Sequence, residues 1–137
     1  MLKDPDIDLP YSPDMYYFLY GFDVYEKDEG FVKDLESHDP NNVIDRRKLI
    51  INYFIGKFNY LSYRHKYVLV KILNDAINNE KYNFSKIINS YEDDYSCLPW
   101  SWDIKDPRAF FEDILRIAKE YWKDELQKAS LEDQCNW

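Results

Sequence analysis

Glycine, cysteine and histidine are scarce in this chain of 137 residues, with three Gly, two Cys and two His. So little Gly nearly excludes glycine-type hairpin turns and phosphate-cradling loops. The two cysteines, Cys97 and Cys135, are too few for a disulfide framework, so the reduced state is expected and a bridge between them is the minor alternative. No apolar run approaches the roughly 18 residues of a membrane span. The opening Met1-Leu2-Lys3-Asp4-Pro5-Asp6 is acidic, broken by Pro and followed by no apolar stretch. The expectation is therefore a chain without an export signal that works in the cytoplasm.

Sites for chemistry are equally thin. The sequence holds no HExxH, CxxC, GxxxxGK[ST] or GxGxxG pattern. Asp4-Pro5-Asp6-Ile7-Asp8 has the surface look of a calcium loop, yet lacks the glycine turn and the distal Glu, and reads as a solvated arm. A cysteine nucleophile needs a base beside it. Cys97 has only His38 and His65 to draw on, with no local motif around it. The expectation is a chain with no catalytic residues, no metal and no cofactor, and a small enzyme built on Cys97 is the weakest of three alternatives.

What the chain does have is aromatic side chains and unevenly placed charge. Hydrophobic residues make up 45%, which argues against disorder. Thirteen Tyr, eight Phe and four Trp exceed the needs of a core this size; Tyr and Trp suit surfaces half apolar and half wet, and interface centres. Residues 1–40 carry 11 acids and 3 bases (−8), residues 41–86 carry 3 and 9 (+6), and residues 87–137 carry 12 and 6 (−6), summing to −8. Two accounts fit and are compatible. The basic middle packs between acidic flanks and neutralises them, or an acidic face points outward and steers a basic partner. The overall sign disfavours direct nucleic-acid binding, and Arg46-Arg47-Lys48 reads as a solvated helix face.

Apolar periodicity is helical throughout, with no sustained alternation. The predicted fold is all-α, a compact single-domain bundle of five to six helices over 1–137, with an extended arm at 1–12 and a frayed tail at 130–137 into which Trp137 could tuck back. Ser12-Pro13 signals a helix start, carrying Met15, Phe18, Leu19 and Phe22. Most of Tyr16, Tyr17 and Tyr20 are expected in the core, with at least one ring exposed. A short helix over 28–37 buries Phe31, Val32 and Leu35. A helix over 42–59 presents Val43, Ile50, Ile51, Phe54, Ile55 and Phe58 on one face. The helix over 63–79 is the clearest, and these two should form an antiparallel hairpin. Another runs from Asn83 through Tyr91. Asp106-Pro107 caps a last long helix, with a Glu112–Arg116 pair on its wet side.

The connector Glu92-Asp93-Asp94-Tyr95-Ser96-Cys97-Leu98-Pro99-Trp100-Ser101-Trp102-Asp103 is the most specific local feature. As an epitope, its acids meet cationic side chains while Tyr95, Trp100 and Trp102 supply large rigid contacts. As a plain connector, Leu98, Trp100 and Trp102 plug the core and the acids are merely wet. The run Leu98-Pro99-Trp100-Ser101-Trp102-Asp103, followed by Asp106-Pro107-Arg108-Ala109-Phe110-Phe111, resembles a pattern in small immunity proteins of bacterial contact-dependent growth inhibition systems. Size, acidity and Tyr and Trp richness fit that resemblance. It implies a protein that binds the C-terminal domain of a cognate toxin and blocks its active site or substrate surface. The resemblance points to a nuclease as the toxin, basic because its substrate is acidic. Partner-binding candidates are Glu92, Asp93, Asp94, Trp102 and Asp103, with Asp23, Glu26, Asp28 and Glu29 as a second acidic patch. The alternative is a cytoplasmic regulatory or adaptor module, or a nucleic-acid mimic, although the basic middle argues against pure mimicry.

Overall fold

The computed structural model describes residues 1–137 throughout and is all-α. A 3-10 helix, Met15–Phe22, precedes seven α-helical segments: α1 Glu29–Glu36, α2 Val43–Leu49, α3 Gly56–Phe58, α4 Tyr63–Asn78, α5 Phe84–Tyr91, α6 Pro107–Tyr121 and α7 Lys123–Ser130. A π-helical turn, Ile50–Ile55, joins α2 to α3 with helical dihedrals at both joints, so the helix expected over 42–59 exists but widens in its middle.

The first helix winds as a 3-10 helix, although Met15, Phe18, Leu19 and Phe22 would equally suit an α-helical face. Met15, Phe18 and Gly21 stand in one row beside Leu19 and Phe22, and all five are buried. Its cap is Asp14, whose carboxylate accepts the Tyr16 N–H at 2.9 Å, and not Ser12. Gly21 lets the backbone of this helix touch the π turn. A Cβ there would lie 1.9 Å from the Tyr53 carbonyl oxygen. The arm before it is looped rather than extended. Lys3 and Pro10 form an antiparallel bridge, the Asp4 carboxylate accepts the N–H groups of Asp6 and Ile7, and His65 Nε2 donates to the Lys3 carbonyl at 2.6 Å, tying the arm to α4.

Side chains of the 3-10 helix, the α2–π–α3 run, α4 and α6 meet in one core, where Phe18, Leu19, Phe22, Leu35, Ile50, Leu69, Leu73, Phe110 and Phe111 are fully buried. Several expectations are corrected here. Val43 and Ile44 are exposed, while Arg46 turns inward. In α1 only Leu35 is fully buried; Phe31 and Val32 are half-buried at its edge. The antiparallel hairpin between neighbours does not form. The π turn packs on the 3-10 helix and α6, whereas α4 packs chiefly on α6 and α7. That change follows from Trp122, which leaves helical geometry (φ −107°, ψ 19°) and splits the last long helix in two. α7 then folds back over α4, where the buried Lys66 meets Glu125 at 2.7 Å, a charge contact off the hydrogen-bonding angle. The tail is docked, not frayed. A 3-10 turn, Gln134–Asn136, delivers Trp137 onto Tyr67 with ring centres 5.6 Å apart, and Glu132 accepts from Tyr63 Oη, Arg64 Nε and Trp137 Nε1.

The expected cap at Asp106 is made, and Asp28, Asn42 and Asn83 cap their helices in the same way. Arg108 in the first turn of α6 donates to the carbonyls of Ile77, Asn79, Glu80 and Tyr82, satisfying the C-terminal end of α4 and the link to α5. Arg116 pairs with Asp113 instead of Glu112.

Candidate protein-binding face

The loop after the 3-10 helix and the connector after α5 are sewn together. Asp23 is the stitch. Its Oδ2 accepts the Tyr91 hydroxyl at 2.6 Å, and its Oδ1 accepts the N–H of Tyr25 at 2.7 Å and of Cys97 at 3.3 Å. The Val24 N–H donates to the Cys97 carbonyl at 2.9 Å, and the Tyr25 and Tyr95 rings meet edge to face at 6.0 Å. Two acidic segments far apart in sequence therefore share one face. Asp23 and Glu26 come from one side and Asp93 from the other, with Asp94 next to it along the loop and Glu92 at the border with the depression under Trp100 and Trp102.

A run of phenol rings lies beside them. Tyr17 sits 5.1 Å from Tyr20, and Tyr91 lies 6.2 Å from both Tyr20 and Tyr16. Burial first, and then the surrounding carboxylates, push the ionisation of Tyr20 and Tyr25 upward; for Tyr91 burial is followed by its hydrogen bond to Asp23. These hydroxyls therefore remain intact donors at neutral pH. Burial, followed by Asp23 and Glu92, also raises the Cys97 thiol. That is the opposite of the electropositive setting that activates a cysteine. No three His, Cys, Asp or Glu side chains stand together as metal ligands.

Eight of the 26 carboxylates stand in ion pairs, and the acids of this face are among the eighteen that do not. Of nine ion pairs, four join the basic middle to the C-terminal acidic third: Arg46–Asp113, Arg47–Glu120, Arg64–Glu132 and Lys66–Glu125. None involves Asp23, Glu26, Asp28, Glu92, Asp93 or Asp94. Internal neutralisation thus covers part of the C-terminal block, and unpaired acids gather where the N-terminal segment meets the connector.

The other candidate residues fall elsewhere or play fixed roles. Asp28 caps α1 by accepting the Phe31 N–H at 2.8 Å, and Glu29 pairs with Lys33 along the same helix. Asp103 pairs with Lys105, and its carbonyl accepts from Asn41. Trp102 turns inward. Its indole N–H donates to the Leu35 carbonyl at 3.3 Å, and its ring lies 5.7 Å from Phe22 and 6.4 Å from Phe110. The exposed rings of the connector are Trp100, 88% accessible, and Tyr95, 74%. In a Trp-Ser-Trp run on an irregular loop no period says which indole faces the core, and of the two it is Trp102, named as a partner-binding candidate, that turns inward. Sequence reasoning also missed Tyr20, Tyr25 and Tyr91 as members of the acidic face. The high Tyr count was the one available signal. No helix of the molecule is long and apolar enough to cross a membrane. Comparison with family models, with curated proteins and with solved structures finds no match.

Proposed function

We propose that the chain is an immunity protein that binds and neutralises a cognate contact-dependent inhibition toxin domain through the face where Asp23, Glu26, Glu92, Asp93 and Asp94 meet the tyrosine rings. The observation that carries this reading is the gathering of unpaired acids beside the rings. The molecule pairs Arg46, Arg47, Arg64 and Lys66 with its own C-terminal acids, yet leaves these clustered carboxylates without a cation. A field of one sign beside exposed aromatics supports a cationic protein surface as the partner, because complementary potentials speed encounter and exclude wrong partners. The resemblance in residues 98–111 supplies the class of partner, a toxin domain, and a nuclease is the basic toxin that an acidic inhibitor suits best. The setting is a bacterial cytoplasm, where the delivered toxin acts.

The test is protection of cells. Co-expression with the toxin encoded beside this chain's gene should rescue growth, and the purified pair should associate with a rate that falls steeply with salt. Reversing Glu92, Asp93 and Asp94 to Lys, all three exposed, should slow association at low salt by about tenfold or more while the helical core stays folded, the only internal bond lost being that from the Tyr95 N–H to Asp93. Unchanged association at low salt would remove this face from the interface, and failure to protect against any neighbouring toxin would remove the immunity reading.

A further inference from the structure

Beneath Tyr95 the acidic face opens into a depression of ≈ 530 Å³ walled by Tyr20, Tyr25, Tyr91, Tyr95, Asp23 and Glu26. We propose that this cavity receives one arginine side chain of the partner protein, its guanidinium lying against the tyrosine rings and forked onto the Asp23 and Glu26 carboxylates. The proposal deepens the reading above and rests on it only for the source of the arginine. Asp23 is half-buried and held by three neutral donors, so its charge is fixed in place and has no counter-ion. A carboxylate already oriented loses little freedom when a cation arrives. The rings of Tyr20, Tyr25 and Tyr95, none of them fully buried, stand beside it and offer the quadrupole that attracts a cation. A guanidinium suits this wall better than an ammonium, being planar, weakly hydrated and able to stack on a ring while its edge meets carboxylates. Lys27 stands on the same rim with its ammonium 5.9 Å from the Phe31 ring centre, and its charge opposes entry.

The full chain, isotopically labelled, is titrated with N-acetyl-arginine amide while the tyrosine ring resonances are followed. N-acetyl-citrulline amide serves as the neutral isostere and N-acetyl-lysine amide as the competing cation. The expected result is saturable shifts at Tyr20, Tyr25, Tyr91 and Tyr95 with the arginine amide, no saturation with citrulline, and weaker binding of lysine. Tyr95→Ala and Glu26→Gln change exposed side chains, leave the core intact, and should each weaken the arginine response severalfold, whereas Lys27→Met should strengthen it. Asp23→Asn also loosens Tyr91 and Cys97 and is not used. Equal response to citrulline, tighter binding of lysine, shifts confined to other regions, or unaltered affinity in both weakening variants would overturn the proposal. Its failure is separable from that of the proposed function. Toxin protection without an arginine response sinks the cavity alone, and an arginine response in a chain that protects against no toxin sinks the immunity reading alone.

Discussion

Gly21 shows how much one side chain decides. Its Cα faces the π turn so closely that an added Cβ would overlap the Tyr53 carbonyl oxygen and lie 2.8 Å from the carbonyl carbon. Neither atom can move without displacing backbone. Gly21→Ala should therefore destabilise the domain by about 3 kcal/mol, at the upper end of overpacking penalties. Chemical denaturation is the check, and a variant as stable as the parent would show that the two helices separate freely. From sequence alone Gly21 reads as a weak point in a helix. Its role as a contact becomes visible only once Tyr53 is placed opposite. Trp100 and Trp102 make the same point, two indoles in one tripeptide where only neighbours supplied by Leu35, Phe22 and Phe110 decide which is buried.

Elements are held together by a few buried charges that periodicity hides. Arg46 in α2 donates from Nε to Asp113 in α6 at 2.6 Å and from a terminal nitrogen to the Pro40 carbonyl at 3.2 Å, with both side chains buried. Removing one partner strands the other, so Asp113→Leu should cost about 3–5 kcal/mol, and adding Arg46→Met should recover much of that loss. A double-mutant cycle in urea measures it; additive losses would mean the pair does not interact. The tail offers a milder case. Glu132→Ala deletes the acceptor shared by Tyr63, Arg64 and Trp137. It should raise amide exchange in residues 131–137 by about tenfold and leave α4 protected. The run 106–111, part of the resemblance, is structural in every position with a visible role. Asp106 caps, Pro107 opens the helix, Arg108 clamps the end of α4, and Phe110 and Phe111 fill the core.

At the scale of the whole molecule, tyrosines govern alkaline stability. Eight of the thirteen phenols are shifted upward, chiefly by burial, and Tyr53 is pushed up to about 12. A group whose folded value lies above its unfolded value of 10.0 holds its proton longer when folded, so its contribution is complete below pH 10 and declines as pH rises toward 12. Stability should fall across that window. Tyrosinate absorbance should lag a free-tyrosine titration and then rise cooperatively with unfolding; a smooth rise centred at the free value would contradict it. The acid side has the opposite sign. Glu120 is held low by its hydrogen bonds to Arg47, and Glu132 by Tyr63 and then Arg64, so these contacts stabilise above the ordinary glutamate range and are lost as pH falls through their lowered values.

Sequence alone determined the helical class, the helix starts near Asp28, Asn42 and Asn83 with the cap at Asp106, most of the buried apolar positions and the three-block charge pattern. All of these are local, set by spacing along the chain and by residues within one turn of each other. Tertiary structure decided which acids are neutralised, which tryptophan is exposed, and that Asp23 joins Tyr91 and Cys97 across more than sixty intervening residues. Those outcomes depend on what the fold brings opposite each side chain, and no period within a single segment encodes its opposite.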